Sequence, residues 1–232
     1  MESKEFASQL GITVHIRTTR VDNPTIAFSY ISRAAVKIGD DVLEVSEDDE
    51  LFINGSKASA DNEVFSIAGY KVTKSFTGKR KRITKYLANF HDGNIIEIRV
   101  NTKSGMVYVD VDGSFDDSQG LLGSTQQEAL LSRDGTMDLS GHWNTFGEEW
   151  QVRNTDPKLF QESRAPQYPA SCVYQAATNN LRRHRRRLIE NEVTIEEATN
   201  ACTKSQGQLK DFCVGDVMAS GDLGLAEDPF YN

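Results

Sequence analysis

Between Ser114 and Met137 the chain reads SFDDSQGLLGSTQQEALLSRDGTM, a glycine-broken stretch rich in oxygen-bearing side chains. Calcium is the first chemistry to test. An EF-hand loop places acids at its first, third and fifth positions, glycine at the sixth and glutamate at the twelfth. Counting from Asp110 gives Asp112, Ser114, Phe115 and Leu121; counting from Asp112 gives Ser114, Asp116, Asp117 and Gly123. Both counts fail. The competing reading makes Asp110 and Asp112 the outward positions of a strand whose Val109 and Val111 face a core.

Catalysis has little to work with. The four histidines are His15, His91, His142 and His184, and none falls in a GxSxG elbow, an HExxH pair or another motif of defined geometry. The reading is therefore of a non-enzyme with no cofactor. Three cysteines, Cys172, Cys202 and Cys213, make no CxxC or Cys/His set with metal-ligand spacing, so no metal site is expected. Asn54-Gly55-Ser56 is an N-glycosylation sequon in a turn.

Arg182, Arg183, Arg185, Arg186 and Arg187 flank His184 in the run RRHRRR. This run is read three ways: as a solvated linker or helix face, as a target for a dibasic-cutting protease, or as a phosphate or nucleic-acid contact. The whole chain argues against the last. Its net charge is −8 and its pI about 5.1, and 26 basic residues less these five leave 21 against 34 acidic ones. No aromatic residue interleaves the run to stack on bases, so no nucleic-acid partner is expected. Lys79–Arg82, KRKR, reads as a solvated hairpin loop, with adhesion to an anionic surface as the alternative.

The elements that must carry these residues change character near position 165. Before it the pattern is β. In TVHIRTT, Val14, Ile16 and Thr18 share a face while His15 and Arg17 point to the polar side. SRAAVKIGDDVLEV alternates around Gly39-Asp40, and ELFINGS closes on Asn54-Gly55. In NIIEIRVNTKSGMVYVDVDG, the row Ile96, Ile98, Val100 and the row Val107, Val109, Val111 predict an antiparallel hairpin. After Pro166 and Pro169 the pattern is helical. Thr194 and Glu197 make a capping box, Gly207 breaks the first helix, and Leu209, Phe212, Cys213 and Val217 recur at helical spacing up to a stop at Gly221. Such a helical hairpin can bring Cys202 near Cys213.

The fold class is thus mostly β, an antiparallel sandwich-like module without helices before Pro166, followed by a small α-helical hairpin. Residues 1–165 form the β domain, 166–192 a basic linker and 193–232 the cysteine-bearing helical segment. No apolar run reaches the length of a membrane span.

QGLLGS, the downstream DGT and FGEEW together resemble the C-terminal half of a von Willebrand factor type D domain. The matching residues are Gly120, Leu121, Gly123, Asp134, Gly135, Thr136, Phe146, Gly147 and Trp150. DFCVGDVMASGDLGLAE resembles a segment that often follows that domain, and the likeness runs over roughly residues 12–228. The resemblance implies a secreted, extracellular or cell-surface protein with a structural, adhesive or assembly role. Its implied partners are other copies, matrix or cell-surface components. It also implies a disulfide between Cys202 and Cys213, against the alternative of buried reduced thiols in an intracellular protein.

Three departures stand out. Gln119 and Leu122 replace the family's paired loop cysteines, so thiol exchange there has no thiolate. Ser124 and TQQEA replace the acidic ligand segment, leaving Asp116, Asp117 and Glu128 for the alternative of a calcium-dependent binding module. The family's opening Gly-Asp-Pro-His segment and first strands do not precede Thr13. The expectation is of a truncated start at Met1, a signal peptide lost with it, and an unpaired strand edge.

Overall fold

Alternating apolar residues ahead of residue 113 form antiparallel strands that pair, within each of two sheets, with their neighbours in the chain. A computed structural model describes residues 2–7, 11–22, 27–77, 82–90, 93–115, 118–121, 129–162, 193–227 and 231. The first sheet is β1 (Glu2–Ala7), β2 (Ile12–Asp22), β3 (Ala27–Ile38), β4 (Asp41–Ser46), β5 (Leu51–Ile53) and β6 (Ser56–Lys57), paired in that order. The second runs β7 (Val64–Ile67), β8 (Tyr70–Thr77), β9 (Ile83–Asn89), β10 (Ile95–Asn101) and β11 (Met106–Asp112), again in chain order. The two sheets face each other as an antiparallel sandwich, with β3 lying against β11.

The β10–β11 hairpin has the expected register: Ile96 opposes Val111, Ile98 opposes Val109 and Val100 opposes Val107. From the first sheet Val14, Ala34, Val36, Leu43 and Val45 meet Ile67, Val72, Tyr86, Ile96 and Ile98 of the second in one buried cluster. The turns at Gly39-Asp40 and Asn54-Gly55 lie where the sequence puts them. Asn54 adopts φ +50, which an asparagine tolerates at such a turn. Gly113 ends β11 at φ +129, and a Cβ there would lie 2.2 Å from Asn94 Oδ1, so only glycine fits this exit to the loop.

Three expectations change here. The sheet does not begin at TVHIRTT, because β1 pairs with β2 from Glu2↔Arg17 to Ala7↔Thr13 and is itself the edge strand. His15 and Arg17 do leave the core side of β2, yet both are buried, at 1% and 2% exposure. The segment following Gln151 lies across that outer face. Its Leu159 and Phe160 pack on Ala35, the Arg17 guanidinium stacks 4.6 Å from the Phe160 ring, and Arg17 donates to the Glu162 carbonyl. Helix also appears before Pro166: FGEEW belongs to the short helix α1 (Trp143–Glu149) and its C-cap.

The helical segment is α2 (Ile195–Ala201) and α3 (Gly207–Ser220), flanked by short 3-10 turns. Thr194 and Glu197 form the full reciprocal capping box, and Gly221 ends α3 in the left-handed conformation at φ +61. Cys213 and Val217 are buried, but Leu209 and Phe212 are 41% and 51% exposed, so the expected apolar stripe is only half inward. Cys202 and Cys213 are joined by a disulfide with their Cα atoms 5.9 Å apart.

Candidate functional site

The chain leaves β11 at Gly113, and α1 is the next helix or named strand among the described residues. Between them the Arg-Asp-Gly-Thr turn is built around two neighbouring side chains. Asp134 Oδ1 accepts from the Ser132 hydroxyl at 2.5 Å, the Thr136 amide at 3.0 Å and the Thr136 hydroxyl at 2.8 Å. These donors, the Ser132 hydroxyl first, hold its carboxyl well below the usual carboxylate range, at about 2. Gly135 supplies the φ of +71 that closes the turn.

Arg133 points the other way, into α1 and the segment after it. Its Nε donates to the Glu149 carbonyl at 2.6 Å and its Nη2 to the Gln151 carbonyl at 2.6 Å. Nη1 reaches both oxygens of Asp156 at 2.9 and 3.0 Å. The guanidinium also lies 5.6 Å from the Trp150 ring, whose Nε1 donates to the Leu131 carbonyl. Phe146 and Trp150 are buried with Leu139, and Leu121 and Leu130 pack against them. Arg133, just before DGT, and Trp150 of FGEEW thus tie the two segments together, largely through backbone carbonyls.

Other predicted residues are placed as follows. Asp110 faces outward and pairs with Arg99 at 2.7 Å, while Val109 and Val111 pack on the core. Leu121 is half-buried and Gln119 exposed. Asp116, Asp117, Leu122, Gly123, Ser124 and Glu128 lie outside the described residues, as do His91, Cys172, His184 and Arg182 to Arg187. Among the described residues no three His, Cys, Asp or Glu side chains are grouped to hold a metal ion. No helix among them is long and apolar enough to cross a membrane.

Asn54 is exposed at one end of the sandwich. Its Oδ1 accepts from the Val42 amide and its Nδ2 donates to Asp41 Oδ1, both at 2.8 Å. Asp41 Oδ2 accepts from the Ala68 amide at 2.7 Å, so one carboxylate joins turns from both sheets. Its bond to Asn54, and then that to Ala68, lower its pKa. A glycan on Nδ2 would replace one of two hydrogens and leave the other for Asp41.

Sequence reasoning missed two charged clusters. At the far end of the sandwich Asp49, in left-handed conformation at φ +60, reaches from the β4–β5 turn into the second sheet. It accepts from Thr84 Oγ1 at 2.9 Å and the Tyr86 hydroxyl at 3.0 Å, and Lys74 Nζ stands 3.8 Å away. Burial, then the Asp49 charge, raises the Tyr86 pKa. The second cluster lies under the helical hairpin, where Tyr231 donates to Asp216 near Arg99 and Tyr108. Burial raises the Asp216 pKa despite that bond and the Arg99 charge. Neither cluster has a sequence signal, because Asp49 lies 35 and 37 positions from Thr84 and Tyr86, and Asp216 lies 15 from Tyr231. Set against known proteins, the chain matches no family model and no curated protein significantly.

Proposed function

We propose that this chain is a non-catalytic structural module of an extracellular protein, of the von Willebrand factor type D kind. It acts by assembly or adhesion with other copies or with matrix or cell-surface components. One observation carries the reading: the DGT and FGEEW segments, through which the chain resembles that family, lock onto one another through Arg133 and Trp150. Those residues serve the fold rather than a reaction.

The Cys202–Cys213 bridge suits an oxidising compartment. The exposed Asn54 turn suits glycan attachment, and the Arg182–Arg187 run suits processing by a dibasic-cutting protease. Peptide mapping of native material under non-reducing conditions tests the reading. Linked Cys202 and Cys213 peptides, with an N-glycan on Asn54, are expected. Three free thiols with an unmodified Asn54 would place the protein inside the cell and end the proposal.

A further inference from the structure

The helical hairpin is a small body with its own interior. Ala198, Cys202, Cys213, Val217, Leu225 and Ala226 are buried together around the disulfide, and among the described residues Ile83 is the only buried one of either sheet in that cluster. Besides Ile83, charge fastens it to the second sheet. Asp222, 6% exposed at its side chain, pairs with Arg82 at 2.9 Å and Lys103 at 3.5 Å. Lys103 Nζ also donates to the Gly221 carbonyl at 3.1 Å. Beside them Tyr231 and Asp216 feel the charge of Arg99 from β10. The sheet presents Arg82, Arg99 and Lys103; the hairpin presents Asp216 and Asp222.

The bridge is internal to the hairpin, so among the described residues no covalent link other than the chain itself joins it to the sandwich. We propose that the hairpin is a docked ligand of the second sheet that holds without its peptide connection. A chain cut between Glu162 and Val193 then persists as a two-chain, non-covalent complex. The inference goes beyond the extracellular reading and stands without it: an intracellular chain would behave the same way. If the arginine run is cut in nature, the product is a heterodimer and not a released peptide.

The test replaces residues 182–187 of the full chain with the recognition sequence of a site-specific protease. The purified protein is cut to completion and run on size exclusion without reductant. Co-elution of the two fragments is expected at roughly 0.1 M salt. Partial separation is expected at about 1 M, where the screening length falls to ~3 Å, because Arg82 and Lys103 are 32% and 30% exposed although Asp222 is enclosed. Asp222→Ala should raise the dissociation constant of the cut pair at least about tenfold, since it strands Arg82 and Lys103 together. Should that variant misfold before cutting, Arg82→Gln with Lys103→Gln tests the same pairs from the sheet side.

Fragments that elute apart at the lower salt overturn the complex. Co-elution unmoved by salt and by both sets of substitutions overturns the charged docking. Because the cut is engineered, a result here does not depend on compartment or natural processing.

Discussion

Arg133 shows how a single side chain can fasten a turn to a helix. A guanidinium offers five N–H donors in a fixed plane. Here that plane meets two backbone carbonyls and a bidentate carboxylate at once. Lysine carries the same charge on a single nitrogen and can serve only one of these partners well. Arg133→Lys should therefore cost roughly 2–4 kcal/mol, the loss of several charge-assisted bonds with carbonyls left behind. Urea unfolding followed by Trp150 fluorescence measures it; a loss under about 0.5 kcal/mol, the size of an ordinary surface change, would refute the role. Asp134, Gly135 and Thr136 are legible in the sequence because an Asx turn is made within three residues. Arg133 is not legible, since its partners lie 16 to 23 positions on and only the fold brings them near.

At the scale of elements, the same distinction separates what could be read from what could not. Strands joined by Gly39-Asp40 and Asn54-Gly55, and the capped helix at Thr194, follow from local rules, and the structure has them. Alternation also gave the correct two faces of β2. It could not say what covers the outer one, so His15 and Arg17 read as solvated although a segment some 140 residues later covers them. The helix α1 escaped because WNTFGEE has neither a cap nor a long apolar stripe; its N-cap His142 makes no side-chain bond.

The helical hairpin depends on a different device. Its two helices bury few residues, and the bridge closes a loop with a sequence separation of 11. Loop-closure entropy for such a length is worth about 3 kcal/mol. Cys202→Ala with Cys213→Ala should thus lower the hairpin's stability by that order while leaving the sandwich intact. Amide exchange resolved by peptide is the appropriate measurement. Faster exchange in α2 and α3 alone is expected, and unchanged exchange there would show that the bridge contributes nothing.

For the molecule as a whole, two carboxylates join the sheets at opposite ends. Asp41 links the β4 start and the Asn54 turn to the Ala68 turn at one end, and Asp49 links the β4–β5 turn to β9 at the other. Between these ties the core is apolar, so the polar contacts fix how one sheet sits on the other while burial supplies the drive. Tyr86 reports on this arrangement. Its pKa, like those of Tyr30 and Tyr231, is raised above the ordinary 10, with burial the largest cause in each. The sign follows directly. An unfolded phenol ionises near 10, whereas the folded one stays neutral, so these residues favour folding below that value. The advantage is lost as pH rises above 10. Of the seven tyrosines, these three should ionise late and together with unfolding when absorbance is followed through alkaline titration. Asp49→Ala removes the charge and the acceptor that help hold Tyr86 neutral, so Tyr86 should ionise earlier, while burial still keeps it above the exposed phenols. The same substitution leaves the buried Thr84 hydroxyl without this acceptor, at a cost of about 1–3 kcal/mol. A single wild-type transition near 10 involving all seven phenols would mean that the interior admits hydroxide freely, and the two-ended clamp would then have to be given up.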